Sequence, residues 1–415
     1  MISKCKIALI FHALMALIVL PIASRFVSAE KLPIKTYTTA DGLGHNNVQR
    51  IVRDSRGFLW FCTFEGLSRF DGYGFTTYGA DQGLPSQVVN DLLETREGEY
   101  WVATSAGLCR FNPNGVARRY AGNGAQAATV ADAMFRVYFP GEDAKSKEIT
   151  SLLQDHAGAL WCGTARGLYG LEQVDGQVAF RFTELGMPAV YGESRNVTAM
   201  TEDQRGALWI GSMNGIYRLL SDGRTAYYSD CNGVPFYFVR SLLADREGRV
   251  WVTPESFTLC CIVTDPDPAR PLRGRVYSTR DGLPSAIINY LFQTADGSLW
   301  AGSNNGLIRF VATTDGSDFR FRVYGQPHGF SSADVQALAD DRSGNLWVGT
   351  GNSGAAKLAR SGITAFGEAD GFKNARAIFK DKAEGLNVIT IPNKKAYLIN
   401  RFDGERFTAI RLKFP

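Results

Sequence analysis

The sequence lacks most of the residues and patterns that would make its chemistry obvious. Histidine occurs four times in 415 residues and cysteine seven times. There is no C-x-x-C, and His45, His156 and His328 have no neighbouring ligands at zinc spacing, so no metal site and no cofactor is expected. Charge of one sign is missing too. Lys and Arg number 45 against 41 Asp and Glu, a formal +4, which offers no basic surface to nucleic acid or an anionic membrane. The signatures G-x-S-x-G and H-E-x-x-H and a phosphate-cradling glycine loop are absent. Beyond the first thirty residues no run is long and apolar enough to span a bilayer. Disorder is excluded by 45% hydrophobic residues against 21% charged.

Those first residues read as an address. Lys4 and Lys6 precede an apolar stretch from Ile7 to Ala23, and Val27-Ser28-Ala29 places small residues where signal peptidase needs them. Residues 1–29 are therefore expected to be a signal peptide cut after Ala29, with an uncleaved anchor as the alternative. Cys5 lies before the apolar run, which argues against a lipoprotein. Six cysteines remain, too few for a disulfide framework, and Cys62 and Cys162 just follow tryptophans on expected strands, where a core role is expected.

What is abundant is glycine, 44 residues against a usual share of ~7%, and a regularly spaced set of seven tryptophans. Trp60, Trp101, Trp161, Trp209, Trp251, Trp300 and Trp347 recur at a mean step of about 48 residues. Three positions before each of the seven stands glycine, nine before an aliphatic residue, and six before five of them aspartate. Six after, five have glycine again.

Turn chemistry gives this unit a shape. Val48-Gln49-Arg50-Ile51-Val52 alternates as a strand, and D-x-x-G is a tight turn in which Asp bonds its own downstream backbone and Gly takes positive φ. A second strand holds the Trp, Asn214-Gly215 or Asn305-Gly306 closes a two-residue hairpin, and two more strands come after it. Four antiparallel strands per unit, seven times, predict an all-β protein, a seven-bladed β-propeller over residues 30–365. The tryptophans are expected to pack between blades, and Ile34–Thr38 to complete the blade of Trp347. About a dozen extra residues fall between Trp101 and Trp161, placed near Gly122 to Ala131, and Thr253-Pro254-Glu255-Ser256-Phe257 departs from the usual hairpin. Residues 366–415 read as a degenerate further repeat without its Trp, the start of a second propeller.

At D-x-x-G-x-L-W-x-G-T-x-x-G-L-x-R-F the chain resembles the two-component regulator propeller repeat of periplasmic sensors in hybrid histidine kinases and related bacterial receptors. The residues are Asp54 to Phe70, Asp155 to Leu171, Asp203 to Leu219, Thr294 to Phe310 and Asp341 to Leu358, with lead-in loops such as Asp281-Gly282-Leu283-Pro284-Ser285. The resemblance implies signal reception. It also implies downstream partners: a second propeller, an immunoglobulin-like domain, a membrane helix and a kinase-type output, with homodimerisation of the full receptor left open.

A propeller binds ligands at the face formed by the loops leading into each inner strand and by the hairpins between second and third strands. Candidates there are His45, Asn47, Asn90, Arg195, Tyr237, Arg240, Asn289, Tyr290 and His328 from the loops, and Glu65, Arg166 and Glu255 from the hairpins. Amides, arginines and aromatic rings together suit an oligosaccharide. The expectation is a periplasmic, non-enzymatic ligand-sensing propeller with no catalytic residues, its ligand a glycan fragment. The alternative is an exported enzyme acting on polysaccharide: a lyase using His45 or His328 with Arg240, or a glycosidase, since D-x-x-G-x-x-W also resembles the Asp-box of sialidases.

Overall fold

The computed structural model describes residues 32–119, 133–174, 177–186, 195–265, 267–360, 375–381, 385–393, 396–402 and 407–410. The expected signal peptide and the Gly122 to Ala131 insertion lie outside them. Two compact units emerge, one spanning Leu32–Ile363 and one holding the chain from Thr364.

Among the described residues the first unit contains seven four-stranded antiparallel sheets, plus one two-stranded hairpin. Six sheets are consecutive meanders. They begin at inner strands Val48–Arg53, Val89–Glu94, Ile149–Gln154, Val197–Glu202, Val239–Ala244 and Ile288–Gln293, here blades 1 to 6. Blade 7 takes Val335–Asp340, Leu346–Thr350 and Ala355–Leu358 and is completed by Ile34–Tyr37, with Ile34 opposite Leu358. Each inner strand touches the inner strands on both sides, and blade 7 meets blade 1. This is a closed propeller, sealed as expected by the N-terminal strand, which covers the edge Ala355–Leu358.

Why the repeat folds this way is visible in one unit. Asp54 accepts the Phe58 amide at 2.8 Å through one carboxylate oxygen and the Trp60 indole N–H at 2.9 Å through the other. The same indole bond joins Trp161 to Asp155, Trp209 to Asp203, Trp251 to Asp245 and Trp347 to Asp341. The aspartate thus shapes the turn and fixes the ring six residues on. Each Trp then faces the next blade: Trp60 packs with Leu84, Tyr100 and Phe111, and Trp347 with Tyr37, Phe61 and Phe70. Such a ring buries on the order of 200 Å².

The hairpin differs from expectation in one detail. The two loop residues are Phe64-Glu65, Met213-Asn214 and Asn304-Asn305, and the glycine after them is the first rung or its hinge. Glycine is required because Gly66 sits at φ +104° and a Cβ there would lie 2.4 Å from the Tyr78 carbonyl oxygen. Thr63 donates its hydroxyl to the Gly66 carbonyl at 2.8 Å, and equivalent hydroxyls do so in blades 2, 3, 4, 6 and 7.

Sheets are also clasped to one another. The last inner-strand residue, seven before the Trp, accepts the backbone N–H just after the turn residue of the preceding blade. Glu94 takes Ser55 at 2.6 Å, Gln154 takes Arg96 at 2.9 Å, Glu202 takes His156 at 2.7 Å, Gln293 takes Arg246 at 3.0 Å and Asp340 takes Ala295 at 2.6 Å. Where blade 5 offers Ala244 instead, Gln204 donates to the Arg246 carbonyl at 2.7 Å, and where blade 1 offers Arg53, Arg342 donates to the Ser55 carbonyl at 2.5 Å.

In the second unit, Ala375–Lys380, Leu386–Asn393, Ala396–Phe402 and Phe407–Ile410 form one further four-stranded sheet. Its turn copies the repeat: Asp381 accepts the Gly385 amide at 2.9 Å and, through its other oxygen, the Asn387 side chain at 3.2 Å. Asn387 stands six residues after the aspartate, where the other units carry Trp, and is itself 2% exposed.

Candidate functional site

Every inner strand of blades 1 to 7 carries a bulge after its first residue, as between Val48 and Arg50. The extra residue has no opposite number, and a bulge re-aims its side chain. Those residues are Gln49, Asn90, Thr150, Thr198, Arg240, Asn289 and Gln336, and all seven line one cavity of about 450 Å³. Because inner strands expose carbonyls toward the axis, donors are needed there. Asn90 donates to the Ile149 carbonyl at 2.7 Å, Thr150 to Val197 and Thr198 to Val239 at 2.5 Å, and Asn289 to Val335 at 3.0 Å. Asn90 and Asn289 therefore lie at the cavity as expected, but their amide N–H groups tie blade to blade.

One residue further along stand Arg50, Asp91 and Tyr290. Arg50 pairs with Asp91 at 3.2 Å and lies over the Tyr290 ring at 4.7 Å, bridging across the axis. Asp91, 3% exposed, also accepts the Leu92 amide at 2.9 Å and the Leu152 amide of blade 3 at 3.0 Å. Burial pushes the Tyr290 hydroxyl above its usual range, keeping it a neutral donor. Arg50 and Asp91 were missed as candidates. Their signal was their register, ten before a Trp, the position that also holds Tyr290.

Blade 5 adds Phe238 and Arg240 to the cavity lining. Arg240 donates to Glu255 at 2.7 Å and stacks over Phe238 at 5.1 Å. Tyr237, next to Phe238 in the chain, is 73% exposed and Phe257 51%. Two predicted residues, Arg240 and Glu255, thus pair beside Phe238, an aromatic that sequence reasoning passed over. The departure noticed at Thr253 to Phe257 accompanies this exposure: Val252 pairs with Cys260, and four residues, Glu255–Thr258, stand between the strands where blades 1, 2, 3 and 6 have two. Inside the cavity Ser151 Oγ, Asn196 Oδ1 and Arg240 Nε are buried without a protein hydrogen-bond partner.

The remaining candidates are placed differently. His45 accepts the Asn47 amide at 2.9 Å and leans on Phe64, while Asn47 accepts from Gln49, so both shape the blade 1 loop. Glu65 is exposed on the blade 1 hairpin. Arg166 lies on that of blade 3, and the Arg195 amide donates to the neighbouring Ala165 carbonyl at 3.1 Å. His328 shapes its own lead-in turn. It ends the turn Gln326–His328 and accepts the Gly325 amide at 3.0 Å, the capping job that Asp41, Gln82 and Asp281 perform elsewhere. No histidine is among the cavity-lining residues, so neither His45 nor His328 joins Arg240 there. Among the described residues no cluster of three or more His, Cys, Asp or Glu could hold a metal.

The two component regulator propeller family matches residues 42–65, 83–106, 191–214, 282–305 and 329–352. The chain carries regulator propeller repeats. Four of the five matches begin at the glycine that ends a lead-in turn, Gly42, Gly83, Gly282 and Gly329. Blades 3 and 5 lie outside the matches, and they lack that turn: a short helix, Ala144–Lys147, and the hairpin Asp230–Pro235 stand in its place. The Asp155 to Leu171 segment is thus a repeat by register and bonding, without a family match.

Regulator propeller repeats fit the solved structures that resemble this one. The extracellular domain of a hybrid two component system from B. thetaiotaomicron is similar at TM-score 0.65 and 23% identity, over 92% of this chain and 49% of that one. This chain therefore spans about half the length of that domain. Virginiamycin B lyase from Staphylococcus aureus aligns at TM-score 0.56 and 15% identity over 79% of this chain and 98% of its own. PorZ, a surface component of the type-IX secretion system of Porphyromonas gingivalis, aligns at 0.59 and 14% over 89% and 59%. No curated protein matches the sequence. At these identities the likenesses establish the propeller fold.

Proposed function

We propose that this chain is the ligand-sensing input region of an exported two-component receptor, and that it binds a glycan fragment at the rim of the blade 5 side of the central cavity. One observation carries this reading: the Arg240–Glu255 pair with Arg240 over the Phe238 ring, at a polar-walled cavity that Arg240 and Phe238 line, with the exposed rings of Tyr237 and Phe257 close by in sequence. Flat rings stack on sugar faces, and a fixed guanidinium–carboxylate pair offers donors and acceptors to hydroxyls. Regulator propeller repeats and the fold of a two component extracellular domain support the receptor context. Binding acts by favouring one packing of the propeller against the downstream part of the receptor.

Calorimetric titration of the chain from residue 30 against a glycan panel, with product analysis, tests the proposal. The expected result is saturable heat without turnover, weakened at least tenfold in Tyr237→Ala and Phe257→Ala. Product formation would move the assignment to a propeller lyase or glycosidase; silence across the panel would remove the glycan.

The sheet at Ala375–Ile410 is proposed as the first blade of a second propeller. Its inner strand, Ala375–Lys380, is exposed along its whole length, with Ile378 at 68%. Residues 1–29 are proposed as its export signal, checked by N-terminal sequencing of the secreted product, which is expected to start at Glu30.

A further inference from the structure

Most donors that ring the central cavity are already spent. At the bulge positions Asn90, Asn289, Thr150 and Thr198 donate to carbonyls of the next blade, Gln336 donates to Asp334 at 2.7 Å, and Arg240 to Glu255. Arg50, one residue past a bulge, is different. Its Nε meets Asp91 at 3.2 Å and its guanidinium lies 4.7 Å from the centre of the Tyr290 ring, yet the side chain is 34% exposed although it stands on an inner strand of a closed ring. Among the described residues its two terminal nitrogens make no hydrogen bond to protein. Arg50 lines the cavity, so that exposure opens onto it.

One edge of a planar cation is thus left unused. Asp91 holds the Nε edge and is itself fixed by the Leu92 and Leu152 amides, while Tyr290 covers one face. The remaining edge, Nη1 and Nη2, carries the parallel N–H groups that pair with a carboxylate through two hydrogen bonds. A guanidinium tied at one edge and stacked on a ring has already given up much of the freedom that binding would otherwise cost. Neighbouring charge selects the anion. Asp91 and the exposed Glu148 also line the cavity, so a doubly charged phosphate meets more repulsion there than a singly charged carboxylate does.

We propose that the central cavity is a carboxylate-binding site, in which the Nη fork of Arg50 takes the carboxylate of an organic acid, either an acidic sugar or a non-sugar acid. The assignment rests on the sensing role proposed above for this cavity, but does not require the ligand to be a glycan. Because the seven inner strands close into a ring, the fork is reached along the axis, and an acidic oligomer presents its end there.

Calorimetric titration of the purified chain tests this with named probes: the disaccharides of galacturonate, glucuronate and mannuronate, the non-sugar acids quinate and lactate, and the methyl ester of each. At least one acid is expected to bind about tenfold or more tightly than its ester, the worth of a hydrogen bond to a charged group. That preference should vanish in Arg50→Gln and shrink in Arg50→Lys, which keeps the charge and loses the fork. The comparison of acid with ester is made on the wild type, so it stands even where a variant at the ring centre fails to fold. A response to the uronates alone identifies a sugar source, and a response to quinate or lactate alone a non-sugar one. Acid and ester binding alike, an acid preference that survives Arg50→Gln, or no binding of any acid would each overturn the proposal. Neutral glycans bound in a Tyr237-dependent way, with indifference to the acids, would remove this site and leave the glycan reading standing; binding of a non-sugar acid alone would do the reverse.

Discussion

A single carboxylate carries much of the information in this repeat. Asp54 serves the turn amide, the Trp60 indole and, at 2.9 Å, the Tyr100 hydroxyl of the next blade. Blade 2 shows what happens without it: Thr95 occupies the aspartate position and the Trp101 indole nitrogen is buried with no partner. Supplying the missing acceptor by Thr95→Asp is expected to stabilise the protein by about 1 kcal/mol, the net value of one hydrogen bond, read from denaturant unfolding. Asp54→Ala is expected to destabilise it by about 3 kcal/mol by stranding several donors at once. A second residue introduces pH dependence. His156 pairs with Glu202 across the blade 3 to blade 4 joint, and the bond to Glu202 raises its pKa. A raised folded value means the contribution is fully present below the unfolded value of about 6.5 and is lost as pH rises through the folded value. The unfolding midpoint of the wild type should therefore fall relative to His156→Gln as pH rises from about 6 toward 8. Identical pH profiles for the two proteins would remove His156 from the account.

At the level of elements, what repeats in register was legible and what depends on through-space partners was not. Spacing on the seven tryptophans gave strand order, turn type and the sealing strand, because each follows from local hydrogen bonding and from which residues face a neighbour. The bulge after the first inner-strand residue has no composition of its own: Gln, Asn, Thr and Arg all occupy it. Consequently the capping of next-blade carbonyls by the Asn90 and Asn289 amides, and of a turn by His328, could not be read from the sequence. The blade 5 departure was visible because its hairpin broke the pattern. The clasp seven before five of the tryptophans escaped notice since Glu, Gln and Asp share it. Its weight can be measured: Glu94 accepts both the amide and the hydroxyl of Ser55, and Glu94→Ala is expected to cost about 2 kcal/mol. Glu172, in an exposed pair with Arg181, is the control, with a change under about 0.5 kcal/mol on replacement by Ala.

For the whole molecule, stability is a property of the ring. Each Trp cluster joins two blades, so no blade has a complete core alone. The N-terminal strand is the least redundant part, for it contributes Tyr37 to the cluster of Trp347 and covers the edge Ala355–Leu358. Deleting residues 32–38 is expected to expose that edge and yield concentration-dependent association in sedimentation, with a lower unfolding temperature. A monomer of undiminished stability would show that the strand is dispensable. In the C-terminal sheet, Asn387 makes the bond to the turn aspartate that Trp makes elsewhere, yet presents no ring to a neighbour. That separates the two jobs of the repeated Trp, pinning the turn and gluing the blades.

Ile34 and Leu358 face each other across one ladder, so the propeller begins and ends within a single sheet. The order in which the seven units are strung is consequently arbitrary as far as the ring is concerned. Joining these ends and cutting at the exposed Asp71–Gly74 turn should give a circular permutant with the same ring and the same cavity, in which the former seam is an ordinary, covalently continuous meander.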